Sequence, residues 1–296
     1  MSINKKRSVQ PRRKIGRTVK SRIFLAVIVL LLILIIPGLD CRLLIWHYEI
    51  NSAGKLENPI RIALITDLHS CRYGEEQRTL LDALEGQTPD VVMLCGDIFD
   101  DELDDKNTEL FLKGISEKYL CFYVTGNHEF WSGSAAFAEK MAIVDKYGIK
   151  RLSGETQTID IRGETLTVCG VDDPAVSRLD SENALPFSEQ LDKVKELAEE
   201  EEDFTVLMSH HPEYFEDYAA GEFDLVLCGH AHGGQWRIPY VLNGLFAPDQ
   251  GLFPKYAGGE YRDNGTVMIV SRGLARESTL VPRFYNRPEL VIIDCV

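Results

Sequence analysis

Uninterrupted apolar runs that alternate with helical patterns constrain the fold of this chain more than any other feature. From Pro59 onward these runs are short, rich in Val, Ile and Leu, and apolar throughout rather than at every second residue. Such strands are typical of sheets covered on both faces, which predicts a layered α/β fold in one domain spanning 59–296. The predicted strands lie at 60–66, 90–95, 119–124, 165–171, 204–209, 224–228, 266–271 and 290–294, and the predicted helices at 75–86, 107–118, 134–147 and 188–202.

The N-terminal segment has a different composition from the rest of the chain. Residues 1–22 carry nine Lys or Arg and no acidic residue, and fourteen apolar residues follow from Ile23 to Ile36. We predict a transmembrane signal anchor at 23–46 and a polar linker at 47–58, with a cleaved signal peptide as the alternative. The excess of cations before the apolar run predicts a single-pass cell-membrane protein with 1–22 in the cytoplasm and the domain outside.

Cysteine usage points in the opposite direction. The chain has seven cysteines, an odd number, and four of them lie inside apolar runs, namely Cys95, Cys121, Cys169 and Cys228. Buried cysteines in strands behave as small hydrophobic residues, so a disulfide framework is not expected. The expected absence of disulfides favours a reducing compartment, whereas the cations before the apolar run favour a domain outside the cell membrane. We keep the prediction that the domain lies outside.

The charge balance of the body excludes one class of partner. Subtracting the nine N-terminal positive charges from the net charge of −14 leaves −23 for the remainder. Nucleic-acid binding rewards surplus Lys and Arg, so we expect no nucleic-acid partner. A small anionic substrate remains compatible with this charge if metal ions supply positive charge locally.

Polar groups that can bind a metal follow five of the predicted strands. Ligands in α/β sheets bind beyond the carboxyl ends of the strands. Six of the seven histidines of the chain lie in these five turns, and His47 is the exception. The turns are Asp67-Leu68-His69, Gly96-Asp97-Ile98-Phe99-Asp100, Thr125-Gly126-Asn127-His128-Glu129, Ser209-His210-His211-Pro212 and Gly229-His230-Ala231-His232. Each turn alone is commonly a surface pair, a turn cap or a helix cap, but all five together indicate one shared metal site.

The candidate ligands are all nitrogen or oxygen donors. Seven donors exceed the needs of one tetrahedral zinc ion and suit two divalent transition-metal ions, with Mn, Fe or Zn favoured. Asp97 is the natural bridge, because one carboxylate can hold two ions about 3.5–4 Å apart. The candidates are Asp67, His69, Asp97, Asn127, His210, His230 and His232, with His211 open as the alternative to His210.

The ordered pattern D-x-H, G-D-x-x-D, G-N-H-[DE], a later His beside a Pro, and G-H-x-H resembles that of the calcineurin-like metallophosphoesterase superfamily. The likeness covers 60–294. The stretches "GHAHGGQWRIP" and "SRGLARESTLVPRFYNRPEL" are further similar to a membrane-linked bacterial branch of it, some members of which hydrolyse UDP-2,3-diacylglucosamine. The resemblance implies a four-layer αββα sandwich of two mixed sheets.

The resemblance also implies a role for each candidate residue. Asp97 and His128 would be the catalytic residues, with His128 protonating the leaving oxygen after a metal-bridging hydroxide attacks phosphorus. The H-x-P pattern selects His210 over His211. One ion would be held by Asp67, His69, Asp97 and His232, and the other by Asp97, Asn127, His210 and His230.

Substrate identity is open at this level. The resemblance implies hydrolysis of a phosphomonoester, a phosphodiester or a pyrophosphate. The segment 236–256, rich in aromatic residues, Pro and Gly, predicts either a wall for a lipid-linked substrate or an ordered loop. Arg283 either reaches a second phosphate or pairs with Glu289. Two alternatives are a non-catalytic metal- or phosphate-binding module on the same fold and a zinc hydrolase acting on amides; the oligomeric state is not predicted.

Overall fold

The computed structural model describes residues 17–179, 184–199, 202–276 and 281–296 of the 296-residue chain. Most of the predicted basic cytoplasmic segment, 1–16, lies outside the described residues. In chain order the strands are β1 (Leu44–Ile50), β2 (Ile60–Ile65), β3 (Val91–Cys95), β4 (Leu120–Val124), β5 (Lys150–Arg151), β6 (Glu155–Ile161), β7 (Glu164–Gly170), β8 (Phe204–Met208), β9 (Leu225–Cys228), β10 (Phe246–Ala247), β11 (Gly251–Leu252), β12 (Gly259–Asp263), β13 (Thr266–Val270) and β14 (Glu289–Cys295). The helices are α1 (Arg17–Gly38), α2 (Arg78–Glu85), α3 (Lys106–Ser116), α4 (Asn127–Trp131), α5 (Ser134–Lys146), α6 (Phe187–Glu199) and α7 (Phe215–Ala219).

Two six-stranded mixed sheets form the body of the domain. The first has the order β1-β14-β2-β3-β4-β5 and the second has the order β12-β13-β9-β8-β7-β6, while β10 and β11 form a separate hairpin. In the first sheet β2 to β5 are parallel, β14 is antiparallel to β2, and β1 is parallel to β14. In the second sheet β7, β8, β9 and β13 are parallel, and the two edge strands are antiparallel to their neighbours.

The sheets pack face to face with helices on both outer faces. Between them lies an apolar layer to which both sheets contribute, for example Leu64, Met93 and Phe122 from the first and Val206 and Leu227 from the second. Helices α2, α3 and α5 cover the outer face of the first sheet, and α6 and α7 cover that of the second. The predicted four-layer αββα sandwich of two mixed sheets is thus confirmed. Because both faces are covered, the inner strands β3 and β9 are apolar at every position, and β2 and β8 at all positions but one.

The eight predicted strands are all present, with ends that differ by one or two residues. The predicted helices at 75–86, 107–118, 134–147 and 188–202 correspond to α2, α3, α5 and α6, and 200–201 lie outside the described residues. The strands that the sequence did not predict lie at sheet edges or in the small hairpin. Edge strands such as β6, whose side chains alternate between partly buried and exposed, lack the continuous apolar run that marks an inner strand.

The segment after the apolar helix differs from the prediction. The anchor was expected to reach residue 46 and a linker to span 47–58, but α1 ends at Gly38 and β1 begins at Leu44. Strand β1 pairs in parallel with β14 over seven residue pairs, so its main chain is satisfied by a ladder. The apolar residues 44–46 therefore belong to an edge strand of the domain and not to the helix. Within the described residues, Val19–Gly38 is the one helix long and apolar enough to cross a membrane, and its residues 19–37 are exposed.

Six of the seven cysteines are buried, and Cys41 alone is partly exposed. Burial raises the pKa of the Cys121 thiol to about 12, and it raises the pKa of Cys295 to about 12 with a further contribution from Asp294. The cysteines predicted in strands accordingly serve as small apolar residues of the core.

Candidate metal centre

Five of the seven predicted ligands have a left-handed backbone. Positive φ angles occur at Asp67 (51°), His69 (47°), Asp97 (52°), His230 (66°) and His232 (46°). A non-glycine residue in such a conformation costs about 1–3 kcal/mol and persists where surrounding contacts impose it. This concentration of strain at the strand ends marks the region as a functional site.

Backbone hydrogen bonds between the turns impose this geometry. The amide of Asp67 donates to the Gly96 carbonyl at 3.0 Å, and the amide of His69 donates to the Asp97 carbonyl at 2.9 Å. The amide of His230 donates to Asp67 Oδ1 at 3.0 Å, which joins the second sheet to the first. The turns from both sheets thus form one connected unit.

Close contacts at two glycines bring the turns together. A Cβ on Gly229 would lie 2.5 Å from Asp67 Oδ2, and a Cβ on Gly126 would collide with the Asp97 carboxylate. Any larger residue would push these turns away from the carboxylates, so the turns require glycine at both positions.

The first cluster contains Asp67, His69, Asp97 and His232. One potential ligand atom from each lies within 4.8 Å of the others, and all four residues are buried. His69 Nε2 is 3.5 Å from Asp97 Oδ2, and His232 Nε2 is 3.6 Å from Asp67 Oδ1. These separations exceed a hydrogen bond and leave room between the atoms.

The second cluster shares Asp97 with the first and adds His210 and His230. His210 Nε2 lies 3.1 Å from Asp97 Oδ2. His210 Nδ1 lies 2.9 Å from the carbonyl of Cys95, to which it donates, and this bond directs Nε2 toward the carboxylate. The two clusters therefore meet at one carboxylate.

Asn127 is the seventh predicted ligand and begins α4 beside this carboxylate. The amide of the next residue, His128, donates to Asp97 Oδ1 at 2.9 Å, which holds the turn of Asn127 against that of Asp97. The side chain of Asn127 is buried, and its Oδ1 has no hydrogen-bond partner among the described residues.

Unpaired buried polar atoms are concentrated in these clusters. Native proteins pair almost all buried polar groups, so several unpaired atoms that lie close together are typical of a site that binds an ion or water. Within the described part of the chain, the buried atoms lacking a hydrogen bond include Asp67 Oδ2, His69 Nε2, Asn127 Oδ1, His210 Nε2 and His232 Nδ1. The donor set is oxygen and imidazole nitrogen, and two clusters share a carboxylate. The residues suit a dinuclear divalent metal site.

The electrostatics fit the same use. Burial alone would raise the pKa of Asp97, but the imidazoles of His210 and His69 outweigh it and hold the pKa well below its usual range. Burial lowers the pKa of His232 to about 3, so this imidazole is neutral at physiological pH. An ionised carboxylate and a neutral imidazole are the forms that coordinate metals. Burial alone would lower the pKa of His69 and of His210, but the nearby carboxylates raise both, so an ion that binds there would displace a proton from each imidazole.

Two acidic residues that received no role from the sequence support the ligands. Asp100 Oδ2 lies 3.0 Å from His69 Nδ1 and fixes the orientation of that ring. Glu129 accepts four backbone N–H groups, from Gly126 and three consecutive residues beginning at Asp97. Burial and the neighbouring Asp97 raise the pKa of Glu129 to about 7. Both residues belong to the G-D-x-x-D and G-N-H-E patterns, which is the signal by which they could have been found.

His211 is directed away from the shared carboxylate. Its Nδ1 lies 2.5 Å from Glu213 Oε1, and its Nε2 lies 2.6 Å from Asp173 Oδ2. Burial alone would lower the pKa of His211, but these two carboxylates raise it to about 9. The ring stacks on His230 at 3.9 Å. Of the doublet, His210 is therefore the residue that faces Asp97.

A third acidic residue contacts the centre from the β10–β11 hairpin. Asp249, which lies between these strands, accepts a hydrogen bond from His230 Nε2 at 2.8 Å. Its side chain is 60% exposed, so it borders the open side of the site. Nothing in the sequence around Asp249 predicts this contact.

His128 lies at the mouth of the site. Its ring centroid is 4.3 Å from that of His69, and its Nδ1 is 2.6 Å from Asp101 Oδ1. Its side chain is partly exposed, unlike the candidate ligands. The residue is therefore open to a molecule that enters the cleft.

Arg283 does not make the predicted pair with Glu289. Glu289, the first residue of β14, binds instead Arg272, which follows β13, and accepts from its Nε at 2.6 Å. Arg283 is buried and donates to the carbonyls of Ala275 and Arg272 at 2.8 and 2.7 Å. It therefore fixes the loop that follows β13.

Comparison with known proteins agrees with this geometry. The sequence model of the family described as calcineurin-like phosphoesterase matches residues 60–234. An uncharacterized metallophosphoesterase of Aquifex aeolicus is 28% identical over 241 residues, covering 79% of this chain and 84% of its own. The phosphodiesterase YaeI of Escherichia coli is 26% identical over 247 residues, covering 80% and 83%.

A solved structure supports the fold independently. The NAD nucleotidase NadN of Haemophilus influenzae aligns with a TM-score of 0.54 at 15% sequence identity. The alignment covers 74% of this chain and 46% of that structure, so the chain spans about half of NadN. At this identity the likeness concerns the fold.

Proposed function

The chain belongs to the calcineurin-like phosphoesterase family and is a metallophosphoesterase. We propose that it is a membrane-anchored dinuclear phosphohydrolase. Its substrate would be a phosphomonoester, phosphodiester or pyrophosphate that is carried on a lipid. The observation that carries the proposal is the pair of buried donor clusters that share Asp97.

The ligand assignment follows the two clusters. Asp67, His69, Asp97 and His232 would hold one ion, and Asp97, Asn127, His210 and His230 the other. When bound, two such ions supply a water ionised near neutral pH and neutralise the charge on the phosphate oxygens. Their positive charge would also allow an anion to approach a body that is strongly acidic.

His128 would act on the leaving group. The carboxylate of Asp101, 2.6 Å from Nδ1, holds that nitrogen and leaves Nε2 for an oxygen in the cleft. An imidazolium paired in this way can donate a proton to the departing alkoxide or phosphate. The Nε2 N–H would also donate to an oxygen on which negative charge develops at the mouth of the site.

The anchor would be retained, not removed as a signal peptide. The backbone amide of Tyr285 donates to the carbonyl of Gly38 at 2.6 Å, and the Tyr285 hydroxyl donates to the carbonyl of Leu34 at 2.6 Å. Strand β1, which follows the helix, completes the edge of the first sheet. A helix built into the domain in this way supports a permanent anchor, and the nine cations before the apolar run favour a body on the outer side.

One feature supports a lipid-linked substrate, and the name of one relative bears on the class of ester. The segment 236–256 exposes several large apolar side chains beside the candidate centre, and Asp249 of this segment contacts His230. The name of the Escherichia coli relative, a phosphodiesterase, favours diesters among the ester classes. A substrate with a phosphate at headgroup level and acyl chains would fit both observations.

The proposal is tested with the full chain purified in detergent. We expect close to two transition-metal ions per chain and hydrolysis of aryl phosphomonoesters or diesters, with slower or no cleavage of matched peptide and amide substrates. Asp97→Asn should lower the metal content, and it should lower the rate of hydrolysis at least tenfold. Asp82→Asn, an exposed position on α2, is the matched control and should change neither.

Two outcomes would contradict the proposal. A metal-replete chain inert on every phosphoester, and unaffected by Asp97→Asn, would indicate a non-catalytic binding module. Preferential cleavage of amides would indicate a zinc amide hydrolase. A panel that includes UDP-diacylglucosamine, simple phospholipids and cyclic nucleotides then identifies the substrate class.

A further inference from the structure

The direction of the strands places the end of α1 beside the candidate metal centre. The site lies at the carboxyl ends of β2, β3 and β4. Strand β14 is antiparallel to β2, so β14 begins at that same edge. Strand β1 is parallel to β14, so Leu44 also lies at this edge, a few residues after α1 ends at Gly38.

Contacts with the segment before β14 fix the end of α1. Tyr285 bonds to the carbonyls of Leu34 and Gly38, as described above, and the Phe284 ring packs so close to Gly38 that a Cβ there would collide with it. The last turn of α1 is thus attached to the domain at the edge that holds the metal centre.

Exposed apolar side chains surround the point where α1 leaves the domain. Four of the eight lie in the loop between β9 and β10, where Tyr240 and Val241 at the tip of a tight turn are fully and 81% exposed, and three more lie on the β10–β11 hairpin. We call this set the apolar rim. It consists of Trp46, Trp236, Ile238, Tyr240, Val241, Phe246, Leu252 and Phe253.

The apolar rim is continuous with the helix attachment. The Trp236 ring lies 5.8 Å from the Phe284 ring, and Trp236 Nε1 donates to the carbonyl of Pro282. The turn at 237–243 shares one surface depression with Trp46 and Tyr285. The rim and the end of α1 therefore belong to one face of the molecule.

The opposite edge of the sheets has a different character. At the amino end of the second sheet's inner strands, Lys55 binds Asp224 at 2.8 Å. At the amino end of β2, Arg162 pairs with Asp90. Exposed apolar residues there are isolated, such as Leu120 at the start of β4. The surface at the carboxyl ends of the strands is thus apolar and aromatic, as a lipid-facing surface is, whereas the surface at their amino ends is charged, as a solvent-facing one is.

We propose that the apolar rim docks on the surface of the phospholipid bilayer that α1 enters, so that the metal centre opens toward the lipid headgroups. The inference rests on the proposed retention of α1 as an anchor. A bilayer is the occupant because the rim is continuous with a helix of membrane-spanning length. Tyr and Trp side chains are favoured at the membrane interface, where one end is apolar and the other is hydrated.

Docking in this way determines how substrate arrives. A phosphate at headgroup level would reach the cleft by lateral diffusion along the membrane, without leaving the bilayer. The acyl chains would remain among the lipids beside the rim. The bilayer would then supply much of the apolar environment that a lipid substrate needs.

The test uses the full chain in phosphatidylcholine nanodiscs with bromine on the upper part of the acyl chains. In a background where Trp46, Trp131 and Trp236 are Phe, Tyr240→Trp places a single fluorophore in the rim. The matched control is Leu120→Trp in the same background, an exposed apolar position at the opposite edge. We expect brominated lipid to quench the fluorescence at 240 at least twofold and to leave that at 120 unchanged.

Ile238→Asp with Val241→Asp provides the second variant. Added to the Tyr240→Trp reporter, it should abolish quenching while the chain still co-elutes with the nanodiscs and still hydrolyses a soluble aryl phosphoester. Co-elution without quenching in the Tyr240→Trp chain would overturn the docking, and it would leave the phosphohydrolase intact. Failure to co-elute would overturn the anchor and the docking together. Quenching at 240 in a chain that hydrolyses no soluble phosphoester would overturn the proposed function and leave the docking intact.

Discussion

Replacement of Glu129 by Gln tests how firmly one buried carboxylate holds the centre. Its Oε2 accepts the N–H groups of Gly126 and Asp97, and its Oε1 accepts those of Ile98 and Phe99. Glutamine has one acceptor oxygen, so its NH2 end would face two N–H donors. A buried donor without an acceptor costs about 1–3 kcal/mol, so two cost about 2–6 kcal/mol. For a domain of this size that corresponds to a loss of at least about 4 °C in Tm.

The measurement is thermal unfolding by circular dichroism of the metal-loaded full chain at about pH 8, where an ordinary Glu side chain is ionised. Glu164→Gln is the matched control, because that carboxylate accepts only three N–H groups, from Glu57 and Asn58. Glutamine there can keep two of the three bonds, so the loss should be smaller. Equal Tm values for E129Q and the parent chain, within about 1 °C, would refute the reasoning.

Further predictions concern the ligands and their surroundings. His210→Ala should remove about one metal ion per chain by elemental analysis, whereas His211→Ala should keep the metal content, because its ring faces other carboxylates; the reverse order would show that His211 is the ligand. Gly229→Ala should lower the rate at least tenfold, because its methyl group would lie 2.5 Å from Asp67 Oδ2, while Gly86→Ala, with no neighbour closer than 3.4 Å, should not; equal rates would contradict the steric argument. Chelation should lower Tm reversibly, since ions present at about a thousand times their Kd contribute about 4 kcal/mol each; a Tm unchanged by chelation would exclude this contribution.

The sequence predicted those strands whose burial is evident from their own residues. An inner strand such as β3 is apolar at every residue, and the residue types that follow it, Gly96 and Asp97, are visible without knowledge of its neighbours. Because parallel strands place their carboxyl ends at one edge, five such endings were enough to predict a shared centre. Six of the seven predicted ligands indeed lie in two clusters that share Asp97.

What the sequence could not predict depends on partners far away in the chain. The apolar residues at the start of β1 are compatible both with an edge strand and with the end of an apolar span. Only the pairing of β1 with β14 shows that they form a strand. Asp249 contacts His230 because the β10–β11 hairpin folds back over the site, and no periodic pattern encodes that path. The pairing of Arg272 rather than Arg283 with Glu289 likewise depends on where β14 begins.

The distribution of thiols gives this chain a built-in attachment point. Six cysteines are buried in the body, while Cys41 is partly exposed in the short connection between α1 and β1. A thiol reacts as the thiolate and only where a reagent can reach it. All six buried cysteines are therefore protected by inaccessibility, and those whose pKa is raised by burial are also protected because little thiolate forms. A maleimide probe offered to the folded protein should therefore label one position. That position lies where the helix meets the domain, so a single dye there would report changes at this junction without any engineered cysteine.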